Sequence, residues 1–527
     1  MIAEFGAHQE LQLLGLLVAA GALLVLAPTF RVPYPILLVL GGLALGFVPG
    51  LPTVTLSPDL VLVGVLPPLL YAAAFFTGLR ELRANARTIS MLSLGLVTAT
   101  TVAVAFVAHE AVGLGWAPAF VLGAVVSPTD PLAATSVGAR FGVPRRLTSI
   151  VEGESLVNDG TALVLYKVAI GAAVSGSFSI ADAGARLVLN VVGGVAVGLA
   201  VGFIIREVRR RLDNPPVEIM VAFLTGWCAY LPAAAIGVSG VLAVVTAGVF
   251  MGWHTPQLTT AQTRIQGVAF WEILTFLLNA LLFGLVGLQL PPIVDRLSGV
   301  PRSSLFADAA LVSAAVIGAR IAWVLVFTYL PGALRAGDRR KRGRWAAFMA
   351  WTGMRGAVTL AAALAVPLTT DSGAAFPGRD RIVFLSFAVV VATLVVQGST
   401  LPLLIRMLGF EDDPKPAKEE AKARIRASEA ALERLDELLE EDWVNPETAE
   451  RVRGQYTFRR SRFSARFDSD DDGAIEERSL AYQRLRRELL DAEHRAVLEM
   501  RNSGEIGEDV MRQVQRDLDL EDLRLDA

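Results

Sequence analysis

A chain of 527 residues with 53% hydrophobic and only 19% charged side chains is more apolar than an ordinary soluble domain. Its net charge of −3 hides an asymmetry: residues 411–527 hold 32 acidic and 21 basic side chains, a balance of −11, against +8 for the first 410. A single cysteine, Cys228, excludes an intramolecular disulfide, and four histidines, none paired at ligand spacing, argue against metal catalysis.

A bilayer core about 30 Å thick takes roughly 20 apolar residues per helix. Runs of that size occur 13 times, over 11–29, 33–50, 59–78, 90–111, 117–138, 147–175, 184–205, 216–233, 236–252, 270–290, 304–330, 345–369 and 381–408. They predict an all-α polytopic membrane protein with a transmembrane domain over 1–410 and a soluble helical tail over 411–527. The division of 216–252 into two spans rests on "PAAAIGVSG". The opening "MIAEFGAHQE" is acidic and lacks the basic n-region of a secretory signal, so the first apolar run reads as a retained span. Alternate loops carry 18 basic residues, among them Arg80, Arg83, Arg87, Arg140, Arg145, Arg146 and Arg206, and the opposite loops carry 5. The richer side is cytoplasmic. The N-terminus is therefore expected outside and the tail inside, in the cell (plasma or inner) membrane.

Ionisable side chains at membrane depth are costly and mark a pathway or a binding site. In the fifth span, "SPTDP" places Asp130 between Pro128 and Pro131. Each proline lacks an N–H and clashes with the carbonyl four residues back, which frees the carbonyls of Ala124 and Ser127 and breaks the helix. A broken helix at that depth is tolerated where it is buried or lines a cavity, and it offers oxygens to a cation. A simple kink with Asp130 capping the second half-helix is the plainer reading.

In the sixth span, "ESLVND" sets Glu154, Ser155, Asn158 and Asp159 within an arc of about 140° at 100° per residue. This oxygen-rich face suits a hard monovalent cation. The alternative is a polar patch gluing neighbouring helices. Lys167, nearer the outer end of the same span, can snorkel and receives no role. Two arginines also lie in apolar runs, Arg320 in "VIGARIAWVLVF" and Arg355 in "MAWTGMRGAVTLA". Each needs a carboxylate or free carbonyls, and Glu154 and Asp159 compete for them. Gly353 and Gly356 flank Arg355, so the twelfth span also reads as interrupted. Interruptions seven spans apart, in spans 5 and 12, point to inverted repeats over spans 1–6 and 8–13 with a midplane site.

In the tail, "RIRASEAALERLDELLEE" and "ERSLAYQRLRRELLDAEHRAVLEM" carry apolar residues at helical spacing, separated by "NPET" and "NSGE". "DSDDDGAIEERS" places Asp468, Asp470 and Asp472 at positions 1, 3 and 5 of a calcium-loop pattern and Gly473 at 6. Ser479 stands where the bidentate glutamate belongs, and an acidic interhelical loop is the competing reading.

"SPTDP", "EGESLVNDGTALVLY", "FGLVGLQL", "GMRGAVTLAAAL" and the closing "NSGEIGEDVMRQVQRDLDLEDLRL" together resemble the sodium/proton antiporters of the cation/proton antiporter superfamily, NhaP and NHE branch. The resemblance runs through all 13 spans in order. It implies a core domain moving against a dimer scaffold in a homodimer. It also implies a cation and proton carrier at Asp159, completed by Glu154, Ser155 and the Thr129 carbonyl as sodium ligands and supported by Asn158 and Asp130. Arg320 becomes the partner of Glu154, and Arg355 the charge that neutralises the crossing of the broken twelfth span. Asn158 before Asp159 resembles the electroneutral branch, one cation for one proton.

The expected activity is secondary transport, a monovalent cation (sodium, or potassium or lithium) exchanged for a proton, with no cofactor and no nucleic-acid partner. Potassium/proton exchange on the same fold and a cation channel with a regulatory tail are the alternatives; no pore ring repeated by symmetry favours the channel. No zincin pair, Walker loop or complete nucleophile elbow supports an enzyme, since "GESLV" fails at its last position.

Overall fold

The computed structural model describes residues 21, 34–48, 60–175, 180–297, 299–329, 339–410, 414–464 and 474–525. They form two compact units, Met1–Asp412 and Asp413–Ala527. Both are helical, and among the described residues the β structure is a single bridge between Thr369 and Ala375. Apart from Gly21, the expected span over 11–29 lies outside the described residues, as do the calcium-loop candidates Asp468, Asp470 and Asp472.

In the first unit the helices are α1 (Tyr34–Gly46), α2 (Leu66–Phe76), α3 (Leu79–Ser90), α4 (Val97–Glu110), α5 (Trp116–Val126), α6 (Leu132–Arg140), α7 (Arg145–Ser175), α8 (Ile180–Arg209), α9 (Pro215–Ala235), α10 (Gly240–Leu258) and α11 (Ala261–Leu288). The series continues with α12 (Leu290–Arg296), α13 (Arg302–Tyr329), α14 (Arg339–Trp351), α15 (Ala357–Leu364), α16 (Arg379–Ala392) and α17 (Gly398–Leu408). Among the described residues, seven continuous helices are long and apolar enough to cross a membrane, and three shorter ones are apolar as well. Ile236–Ser239 separates α9 from α10. There Gly237 takes φ 82°, a left-handed geometry open to glycine, and the Ser239 side chain caps α10 by accepting from the Leu242 N–H.

Two features differ from the sequence reading. Residues 79–89, expected as a loop between spans, belong to the helix α3, which continues through a π-helical turn (Met91–Leu96) into α4. Their arginines and Glu81 occupy one side of an amphipathic helix, a pattern that a search for apolar runs passes over. Between α11 and α13 the short α12 also interrupts what read as a connection.

Helices α5, α6, α7, α13, α15 and α16 surround the two helix breaks described below, while α1, α8, α9, α10 and α11 pack mostly on one another. Small residues permit the close crossings: a Cβ at Gly198 would meet the Ala243 carbonyl across the α8–α10 contact. Many side chains of α8 are exposed and apolar, including Leu189, Val192, Phe203 and Ile204. A surface that would be costly in water is suited to lipid or to another membrane helix.

The second unit contains α18 (Pro414–Leu438), α19 (Pro446–Ser464), α20 (Ala474–Asn502) and α21 (Glu508–Leu525). Helices α18 and α19 pair, as do α20 and α21, the first pair turning at Asn445, whose carboxamide accepts from the Glu447 and Thr448 N–H groups. Ion pairs such as Arg424–Glu420 lie on their solvated faces.

Candidate cation site at two helix breaks

Pro128 and Pro131 end α5 at Val126 and delay α6 until Leu132, leaving Ser127–Pro131 non-helical. Of the two carbonyls expected to be free, that of Ala124 is not: it accepts from the Ser127 hydroxyl at 2.9 Å. A serine just before the proline re-satisfies the group that the ring displaces. The Leu132 N–H donates to Asp130 Oδ1 at 2.9 Å, so Asp130 does cap the second half-helix.

A second break, Thr352–Gly356, separates α14 from α15 and lies against the first. The Asp130 N–H donates to the Met354 carbonyl at 2.8 Å, so each interrupted segment satisfies a backbone group of the other. Glycine is required at this approach. A Cβ at Gly356 would overlap the Asp130 carboxylate, and one at Gly353 would overlap the Arg320 side chain.

On α7, all four residues of the polar arc are buried, and the arc faces the first break. Ser155 Oγ donates to the Thr129 carbonyl at 2.8 Å, Asn158 Nδ2 donates to Thr129 Oγ1 at 2.6 Å, and that hydroxyl donates to Glu154 Oε1 at 3.3 Å. Arg320 on α13 completes the chain of contacts. Its Nη1 and Nη2 donate to the two Glu154 oxygens at 2.5 and 3.0 Å, and its Nε donates to the Met349 carbonyl at 2.9 Å. Both partners are 1% exposed, so the bidentate pair is dry.

Arg355 differs. Its backbone N–H donates to Thr393 Oγ1 at 3.0 Å, at the start of a π-helical turn (Thr393–Gln397), yet its fully buried guanidinium has no hydrogen-bond partner among the described residues.

Asp159 is the other exception. It is 6% exposed and makes no hydrogen bond or ion pair among the described residues. It lines a cavity of about 640 Å³ together with Thr129, Asp130 and Ser155. Three of the four residues named as sodium ligands thus share the cavity wall. The fourth, Glu154, does not line it, both of its oxygens being engaged by Arg320.

Two groups were missed in the sequence. The Thr129 side chain, named only for its carbonyl, links Glu154 and Asn158 through its hydroxyl. A second dry pair, Arg209–Glu218, joins α8 to α9 with Thr255 and Thr263 as neighbours. Both members stand next to span ends, where charged residues read as loop.

The family model for the sodium/hydrogen exchanger transmembrane region matches residues 15–407. The chain belongs to this family. An uncharacterized Na(+)/H(+) exchanger of Mycobacterium tuberculosis is 38% identical to this exchanger over 95% of this chain and 93% of the relative. A sodium, potassium, lithium and rubidium/H(+) antiporter of Bacillus subtilis is 34% identical over 71% of this chain and 58% of the relative. The fold of this exchanger resembles that of a sodium proton antiporter from Methanocaldococcus jannaschii, with a TM-score of 0.58, 20% identity, and coverage of 76% of this chain and all of that one.

Proposed function

We propose that this exchanger swaps one monovalent cation, sodium first, for one proton across the cell membrane by competition at Asp159. The observation that carries the reading is the contrast on one helix: Glu154 is fully paired, whereas Asp159 is buried, has no partner among the described residues and lines the cavity. A proton or a cation can neutralise that carboxylate, but not both at once. A bare carboxylate crossing a dry barrier is expensive, so only the occupied site moves. That condition alone makes exchange obligatory and lets either gradient drive the other.

With Glu154 and Arg320 cancelling each other, the loaded site is neutral in both forms, which supports a 1:1 electroneutral cycle. Thr129 and Ser155 supply further oxygens to the cation, Asn158 and Asp130 hold the first break in shape, and Arg355 offsets carbonyl charge at the second. The wider architecture proposed is 13 spans in inverted repeats interrupted at spans 5 and 12, with a core working against the scaffold of a homodimer. The 411–527 tail is proposed as cytoplasmic and the N-terminus as external.

Potassium is the second substrate reading, favoured by the Bacillus subtilis relative, a sodium, potassium, lithium and rubidium/H(+) antiporter. Purified protein in liposomes with an internal pH dye, an imposed proton gradient and separate additions of sodium, potassium and lithium tests both. Dye recovery with sodium that vanishes in Asp159→Asn supports the proposal. Recovery with potassium alone changes the substrate and keeps the mechanism, and net current without proton coupling would support a channel instead.

A further inference from the structure

In the tail, α20 packs on α21 through one face. Gln483 donates to the Leu525 carbonyl, Arg486 pairs with Glu521 and His494 meets Asp519, with Leu490 buried between them. A second stripe runs about 120° around the same helix. Tyr482, Leu485 and Leu489 on it are 54, 59 and 46% exposed, and the exposed Ala492 and Ala496 continue it at the same spacing of three and four residues. That alternation is the seam of a coiled coil. Helix α21 has no such stripe: Val510 and Val514 are followed at that spacing by Asp517 and Glu521, and Leu520 and Leu523 point to other sides.

The stripe is uneven in size, which fixes what it can fit. Its three large side chains come first and its two alanines follow. Two copies laid parallel would set alanine against alanine over half the length, and leave voids. Laid antiparallel, Leu489 of one copy meets Ala492 of the other, and Leu485 meets Ala496, large into small throughout. At each end the Tyr482 hydroxyl can donate to Glu499 of the other copy.

The flanking charges sort the same way. In the antiparallel register Glu488 of one copy falls beside Arg495 of the other, and Glu493 beside Arg486, each pair occurring twice by the two-fold symmetry. A parallel seam would instead bring Glu488 against Glu493, like charge on like. Glu488 and Glu493 are exposed and have no ion pair among the described residues, and Arg495 bonds only the Asp491 carbonyl of its own helix. Arg486 is already held by Glu521, so Glu488 and Arg495 carry most of the charge selection.

We infer that this stripe of α20 is a self-docking surface on which the α20 of a second copy lies antiparallel. From Tyr482 to Glu499 the seam is about 26 Å long. One helix pair of that length buries less than the roughly 1,200 Å² of a stable stand-alone interface. The contact therefore closes where the membrane units already hold two chains together and the second encounter is intramolecular. In that respect it rests on the homodimer reading.

The test is cross-linking of the full-length protein in a Cys228→Ser background with a short bifunctional maleimide. In the antiparallel register the two copies of position 492 are offset by about 4.5 Å along the helix, and those of position 496 by about 16 Å. Ala492→Cys is expected to give a covalent dimer and Ala496→Cys none, while Leu485→Cys combined with Ala496→Cys restores it. In the Ala492→Cys protein, Glu488→Arg or Arg495→Glu should each remove most of the dimer, and the two together should bring it back. That rescue would not follow if either residue served only the fold of its own chain.

Cross-linking through position 496 alone as readily as through 492 would mean a parallel seam and overturn the inference, as would charge reversals without effect. No covalent dimer at position 492 also overturns it, and light scattering of the same detergent sample then shows whether the homodimer falls with it or stands. Shielding of position 492 from a water-soluble maleimide only when lipid is present, without cross-linking, would overturn it in favour of a bilayer surface.

Discussion

Two ion pairs of nearly equal length show how differently the two units use charge. Arg320–Glu154 in the membrane unit closes at 2.5 Å with both side chains 1% exposed. Arg434–Glu437 in the tail closes at 2.6 Å with side chains 66% and 61% exposed. The distance is the same, but the solvent is not. In the tail, water solvates both charges whether or not they meet, and such pairs contribute roughly 0–1 kcal/mol. In the membrane unit neither charge has water to return to, so the pair fixes α7 against α13 and neutralises one of the two acidic groups of the polar arc.

The largest expected effect is on transport. Asp159→Asn keeps the size of the side chain and removes the exchangeable charge, so cation-dependent recovery in liposomes should drop to background while the protein remains folded. Retained exchange would overturn the assignment.

Next comes the buried pair. Glu154→Gln strands Arg320 in a dry site and should lower stability by about 3–5 kcal/mol, read as a lower melting temperature in detergent. The double variant Glu154→Gln with Arg320→Met should recover much of that loss, since neither charge is then left alone. Equal melting of all variants would show that the pair does not fix the two helices.

Gly356→Ala should follow. Its Cβ overlaps the Asp130 carboxylate, so the two breaks must separate, at a cost of about 1–3 kcal/mol and with reduced exchange. Wild-type melting and exchange in this variant would argue against tight apposition of the breaks.

The tail should respond least. His494 lies against the Leu490 carbonyl and Asp519, both of which hold its pKa above the usual histidine value. The added stability of the α20–α21 pair is complete below the unfolded-state pKa and is lost as pH rises through the raised folded one. Protection factors of the α20 and α21 amides, corrected for the base-catalysed intrinsic rate, should therefore be higher at about pH 6 than at about pH 8.5, and Asp519→Asn should narrow the difference. Arg434→Ala should change stability by less than about 0.5 kcal/mol. A larger loss would mean that this surface pair is part of a network.

Within the candidate site, what could be read in the sequence was what is local. The 3.6-residue period places Glu154, Ser155, Asn158 and Asp159 on one arc, and Pro128 and Pro131, three residues apart, each lack the N–H that would continue the helix through that segment. The amphipathic α3 escaped because its apolar stripe is narrower than a membrane run. The α12 turn escaped because seven residues carry too little periodicity.

By itself, then, the sequence determined the apolar helices, the breaks at "SPTDP" and around Arg355, and a polar face on α7, because each follows from periodicity or from a backbone group that a residue lacks. Only the tertiary structure decided which carboxylate is paired and which is left for the cavity. Arg320 reaches Glu154 across 166 positions of chain, the Asp130 N–H finds Met354, and Glu272 comes to share a cavity wall with Asp159. Such meetings depend on how helices pack, and packing has no period along the chain.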